Sequence, residues 1–137
     1  MRIFFGIFLA SSANFFAGIL GFYIAKNSFI YSQAPIDFQS NLTFLSYFYS
    51  FFFKFLVLLI LTWIMHRVMT MLDSPKKRIL FIFILGSAFS IYNQVDIFWV
   101  DNNLSWSLIK LVGESLNWLL TGYILSKFVR PKHLGAL

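Results

Sequence analysis

Four stretches of the chain, Ile3–Ala25, Phe44–Met65, Ile79–Val100 and Leu104–Phe128, consist mainly of hydrophobic residues, and the segments between them are short apart from residues 26–43. A helix needs about 20 apolar residues to cross the ~30 Å hydrocarbon core of a bilayer. Each stretch reaches that length, so the pattern predicts an all-α protein of four membrane-spanning helices in one domain, residues 1–137. Polar and small residues inside the stretches keep a helical rhythm. Lys110, Glu114, Asn117 and Thr121 recur at intervals of four, three and four, which is one helical face. Ser11, Asn14, Gly18, Gly21 and Ala25 do the same in the first stretch and Ser46, Ser50 and Lys54 in the second. Gly86, Ser90 and Asn93 follow suit in the third, with Gln94 and Asp96 close by. Small and polar faces let helices approach closely, which leaves the faces dense in Phe and Leu for lipid.

The stretches also resemble one another. "RIFFGIFLASSA" (2–13) aligns with "RILFIFILGSAF" (78–89), with Arg, Ile, Phe, Leu and Ser repeated at one offset and Ala10 set on Gly86. "TWIMHRV" (62–68) laid on "GYILSKF" (122–128) sets aromatic on aromatic and Arg67 on Lys127, and this register puts Lys54 opposite Glu114. Two in-out-in hairpins related in this way would be parallel repeats about an axis along the membrane normal. Opposite charges at equivalent depth would then meet near that axis.

Composition agrees with the pattern. The chain is 59% hydrophobic and 12% charged, with a mean hydropathy of +0.77, whereas soluble domains carry about 25% charged residues. This is the composition of an integral membrane protein. A net charge of +6 is compatible with nucleic-acid binding, but most basic residues flank hydrophobic stretches, where they act as topology signals. Nucleic acid is accordingly not an expected partner. Arg67, Lys76, Lys77 and Arg78 between the second and third stretches, and Lys127, Arg130 and Lys132 after the fourth, place both termini in the cytoplasm and both hairpin tips outside. The expected location is the inner (cytoplasmic) membrane, multi-pass. Residues 26–43, with Phe29, Tyr31 and Phe38, read as an outer loop lying on the interface. Arg2 ahead of an apolar run resembles a signal peptide, but the run is too long for one, and a retained helix is expected.

The absence of cysteine excludes disulfides, iron–sulfur clusters and thiol nucleophiles. His66 and His133 are solitary and far apart in sequence, so no metal or haem site is expected. No nucleophile elbow, Gly-rich phosphate loop or H-E-x-x-H motif occurs. The chain is therefore expected to be neither an enzyme nor a cofactor protein. What remains is the intramembrane polar cluster: Lys54, Lys110, Glu114, Asn117, Asn14 and Asn93 are the candidate site. Ionisable groups within spanning segments are costly and mark function by default. Two readings stay open. In one, Glu114 pairs with Lys54 or Lys110, and Asn14, Asn93 and Asn117 bond across helices. In the other, the cluster handles an anionic headgroup, or protons, from a cavity open to the outer leaflet.

The opening "RIFFGIFLASSANF", with Ser11 and Asn14, together with "KKRILFIFILGS" and the closing "GYILSKF", resembles the GtrA-like family of four-helix membrane proteins. Ser11 stands near where that family usually has glycine. The resemblance implies participation in moving polyprenyl-phosphate-linked sugars across the bacterial inner membrane. With the polar faces, it suggests Lys54 and Lys110 as phosphate partners and Glu114 as the counter-charge that holds them when the site is empty. An alternative of another class is a structural or interaction subunit that docks on a larger membrane complex, with a protein partner or a second copy. A third is an ion or proton channel using Glu114 and Asp96.

Overall fold

A computed structural model describes residues 2–26, 44–100 and 104–129, and places nearly all of them in four α-helices: α1 Arg2–Lys26, α2 Phe44–Arg67, α3 Pro75–Val100 and α4 Leu104–Phe128. The proposed interfacial loop with Phe29, Tyr31 and Phe38, and the charges Arg130 and Lys132, lie outside the described residues, as do the side chains of Gln94 and Asp96. α3 starts four residues before the hydrophobic stretch does. The reason is local: Ser74 is an N-cap and Pro75 an ideal first helical residue, because proline lacks the N–H that would have no intrahelical partner. The Ser74 hydroxyl accepts the Lys77 N–H at 3.3 Å, and the Asp73 carboxylate accepts the Ser74 N–H at 2.8 Å.

The basic turn between α2 and α3 is braced as well as charged. Arg78 is 4% exposed, and one of its guanidinium nitrogens donates to the Leu72 carbonyl at 3.0 Å and to the Asp73 carbonyl at 3.1 Å. Two carbonyls of a short turn are satisfied by one buried cation. Hydrogen bonds to charged groups contribute about 1.5–3 kcal/mol each. Arg78→Met is therefore expected to destabilise the chain by about 2–4 kcal/mol, read as a lower melting temperature in detergent. Lys76→Met, on an exposed neighbour, is expected to change it by less than about 0.5 kcal/mol.

On the exposed side of the turn, Lys77 and Asp73 form an i,i+4 ion pair at 2.8 Å. The hydrogen bond from Lys77, followed by that from the Ser74 N–H, holds the Asp73 carboxyl below its ordinary value of 3.8. A carboxyl lowered in the folded state stabilises it above the ordinary value. That contribution is lost as the pH falls through the lowered one. Protection of the Ser74 and Lys77 amides, taken as the exchange rate relative to the intrinsic rate at each pH, is thus expected to fall on acidification below about pH 4, and an Asp73→Asn chain should show no such step.

α4 packs against both α1 and α3, and α2 packs chiefly on α1, while α2 and α3 scarcely touch. Edge-to-face contacts of Phe51 with Phe15 (5.6 Å) and Phe8 (6.0 Å) join α2 to α1. α3 and α4 come closest because glycines face the contact: a methyl on Gly86 would run into the Trp118 indole, and one on Gly122 would stand 2.9 Å from the Ile79 carbonyl oxygen. The apolar core holds Ile7, Ala10, Leu58, Leu61, Met65, Ile82 and Leu125, with Met69 and Leu72 of the turn. All of it lies at the end where α1 begins, α4 ends and the α2–α3 turn sits. There Arg2 donates to the Lys127 carbonyl at 3.3 Å. The bundle is closed at this end, and α2 and α3 touch little.

The aligned halves share one kind of side-chain contact but not their helix packing. Trp63 lies under the Arg67 guanidinium at 5.3 Å, and Tyr123 under the Lys127 ammonium at 5.0 Å, at positions the alignment makes equivalent. Equivalent helix pairs, however, differ: α1–α4 contact is extensive, and α2–α3 contact is slight. Within the hairpins, α3–α4 contact likewise exceeds α1–α2 contact, and the Gly86–Trp118 contact explains part of that, since the aligned positions in the other half are Ala10 and Leu58. Large hydrophobic side chains are exposed on all four helices. By length and composition, α1 over Arg2–Gly21 and α2 over Phe44–Arg67 are able to cross a membrane.

Candidate functional site

The small and polar faces of all four helices converge on one space. On α1, Asn14 is buried; its side-chain amide donates to the Thr121 hydroxyl at 2.9 Å and reaches the Asn117 carbonyl at 3.5 Å. The Thr121 hydroxyl donates in turn to the Asn117 carbonyl at 2.7 Å. This chain fixes α1 to α4 without using a charge. On the other side of α4, the Trp118 indole N–H donates to the Ser90 hydroxyl at 2.9 Å, and the Ser87 and Ser115 hydroxyls lie 3.3 Å apart.

Between these two seams is a cavity of about 280 Å³. α1 contributes Asn14, α2 Lys54 and Ser50, α3 Asn93 and Ser90, and α4 Glu114, Asn117 and Trp118. Phe53 and Val57 of α2 and Phe89 of α3 complete its wall. Phe53 is 61% and Phe89 47% exposed, so the wall reaches the molecular surface along the α2–α3 seam. The buried Leu58, Leu61 and Ile82 lie further along α2 and α3 toward the closed end.

Lys54 is docked rather than paired. Its ammonium donates to the Asn14 main-chain carbonyl at 3.5 Å and stands 3.1 Å from where a methyl on Gly18 would be. Gly18, one turn after Asn14, leaves the niche into which the ammonium fits. A carbonyl already accepting a helical bond has a second lone pair to offer, which holds the lysine toward α1. Glu114 lies on α4 in the same cavity, yet the two do not close to an ion pair within 4.0 Å.

Five of the six candidate residues, Asn14, Lys54, Asn93, Glu114 and Asn117, thus line one cavity. Lys54 does not pair directly with Glu114, because the carbonyl of Asn14 and the space at Gly18 draw it to α1. Lys110 is not among the described lining residues; it lies one helical turn from Glu114, toward the start of α4. The alignment that faces Lys54 with Glu114 also sets Asn14 on Ser90, and both pairs line the cavity. Trp118, Phe53 and Phe89 were not anticipated. The signal for Trp118 was present: it follows Glu114 by four residues, and the alignment's Gly86 is the kind of gap a large ring fills.

No protein-family model, curated protein or solved structure matches the chain.

Proposed function

We propose that the chain is a multi-pass membrane protein that admits the phosphate-bearing headgroup of a lipid-linked substrate through the α2–α3 seam, acting as a carrier and not as an enzyme. The observation that carries this reading is Lys54: a lysine held in a cavity among amides, without a direct ion pair to Glu114, and reached from the side through the least packed seam of the bundle. Lysine serves as a point charge for phosphate. Ligand cavities usually span about 300–1,000 Å³, so about 280 Å³ suits a phosphate with a small substituent and leaves a lipid chain outside. The exposed Phe53 and Phe89 would lie against that chain.

Membrane placement is supported by the exposed apolar faces and by the basic end of the bundle, where Arg67 over Trp63 and Lys127 over Tyr123 form the aromatic and cationic belt expected on the cytoplasmic side. The cavity then opens in the opposite half. On the closed-end side of the cavity-lining positions, α2 and α3 carry the buried apolar Leu58, Leu61 and Ile82, which favours a carrier over an ion or proton channel. The resemblance to GtrA-like proteins makes a polyprenyl-phosphate-linked sugar the first substrate to try. In vesicles containing such a lipid, the chain is expected to speed exchange of the headgroup between leaflets. Exchange no faster than in protein-free vesicles sinks the reading.

A second reading is a subunit that docks on a larger membrane assembly. It is favoured by α2, which packs chiefly on α1 and exposes Phe44, Phe48 and Phe52, with Phe48 and Phe52 stacked at 6.5 Å. Its test is the mass of the particle released by mild detergent. A mass of one chain plus detergent and lipid excludes a stable protein partner.

A further inference from the structure

The cavity holds one positive and one negative group, Lys54 and Glu114, and among its described lining residues these alone carry full charges. They are kept apart by construction. The ammonium is drawn to the Asn14 carbonyl and the Gly18 niche on α1, Glu114 is mounted on α4, and the Asn14–Thr121 hydrogen bond fixes one helix against the other. Two opposite charges in an apolar bundle would gain from closing on each other. Held open, they present a site with two poles.

We propose, resting on the lipid-headgroup reading above, that the headgroup is zwitterionic: a phosphate taken by Lys54 and a protonated amine taken by Glu114. The charge arithmetic selects this class. A headgroup that is only anionic brings its phosphate beside an ionised Glu114 and leaves the loaded cavity net negative in a medium of low dielectric. One that is only cationic meets the same penalty from Lys54. A neutral headgroup leaves both charges unanswered. A headgroup bearing both neutralises each pole and leaves the occupied site with no net charge, the condition under which buried ions cost least. The cavity volume fits a phosphoethanolamine group or the phosphate of a small amino sugar. Asn93 and Asn117 supply amides for the hydroxyls of the latter.

The test is native mass spectrometry of the full chain in detergent, titrated with phosphatidylethanolamine and with its N-acetylated derivative, which keeps the tails and phosphate but loses the amine charge. The wild-type chain is expected to retain phosphatidylethanolamine at least about tenfold more strongly, the scale of one well-placed charge contact. Glu114→Gln is expected to erase this preference while leaving retention of the acetylated lipid equal or higher. Lys54→Met is expected to weaken both lipids. Equal retention of the two lipids by the wild-type chain, with Lys54→Met weakening both, overturns the zwitterion and leaves the headgroup reading standing. Retention of every lipid irrespective of Lys54 overturns both. The wild-type comparison decides even if a variant fails to fold. Soluble O-phosphoethanolamine separates lipid from free ligand: at equal concentration it is expected not to displace the lipid, and displacement overturns the membrane-borne source.

Discussion

Gly86→Leu is expected to lower stability by about 2–4 kcal/mol, combining overpacking of a tight contact with loss of an interhelical hydrogen bond. Even the first carbon of a side chain at position 86 meets the Trp118 ring, and the rest of a leucine would have to part α3 from α4 along their closest seam. The indole cannot step aside without giving up its bond to the Ser90 hydroxyl. Because Trp118 and Ser90 both line the cavity, the site should fail together with the fold: a lower melting temperature in detergent and weaker lipid retention in the same protein. Gly21→Leu is the control. Nothing stands within 4 Å of a side chain added there, and its effect should stay within about 0.5 kcal/mol.

Lys54→Met is the second large effect, and it is expected in binding and not in stability. Had Lys54 and Glu114 formed a closed buried pair, removing either would cost about 3–5 kcal/mol, and removing both would restore much of the loss. The geometry argues otherwise. Lys54 is held by a 3.5 Å bond to the Asn14 carbonyl and does not touch Glu114. Loss of that bond should cost about 1 kcal/mol or less. Retention of a phosphate-bearing lipid should fall by about tenfold or more, since the cation that faces the phosphate is gone. Lys54→Met combined with Glu114→Gln should show no stability rescue beyond the sum of the single changes, as judged by a double-mutant cycle of melting free energies. Gly18→Ala offers a finer probe. It fills the niche beside the ammonium with a methyl 3.1 Å away, which the flexible lysine can evade at little cost in stability but only by shifting its charge.

Helical periodicity made the four elements and the convergent faces legible before any coordinates. Three of the four described starts and ends differ little from the hydrophobic stretches, and α3 begins earlier only because Ser74–Pro75 extends it by a turn. The small and polar rows that place Asn14, Lys54, Asn93, Glu114 and Asn117 around one space follow from spacing alone, since each row can face only one side of its helix. What spacing does not contain is the distance between helices. Whether Lys54 meets Glu114 depends on the separation of α2 from α4, and that is decided elsewhere, by Gly86 beneath Trp118, by Gly122 against the Ile79 main chain and by Phe51 among the rings of α1. For the same reason the open α2–α3 seam was not visible in the sequence. Arg78 misled differently: its position in a basic loop reads as a topology signal, whereas the arginine turns inward to cap two carbonyls of the turn.

On the proposed function, a lipid enters between α2 and α3 and is held there by Lys54. Photocrosslinking from p-benzoylphenylalanine tests it most directly, placed either at Phe89, on the seam, or at Phe16, exposed on α1 and outside the cavity. Both positions should label lipid in a bilayer. Adding Lys54→Met is expected to reduce phospholipid labelling from position 89 severalfold while labelling from position 16 is unchanged. If labelling from position 89 is the same with and without Lys54, the seam is ordinary lipid-facing surface, and the cavity is not an entry site.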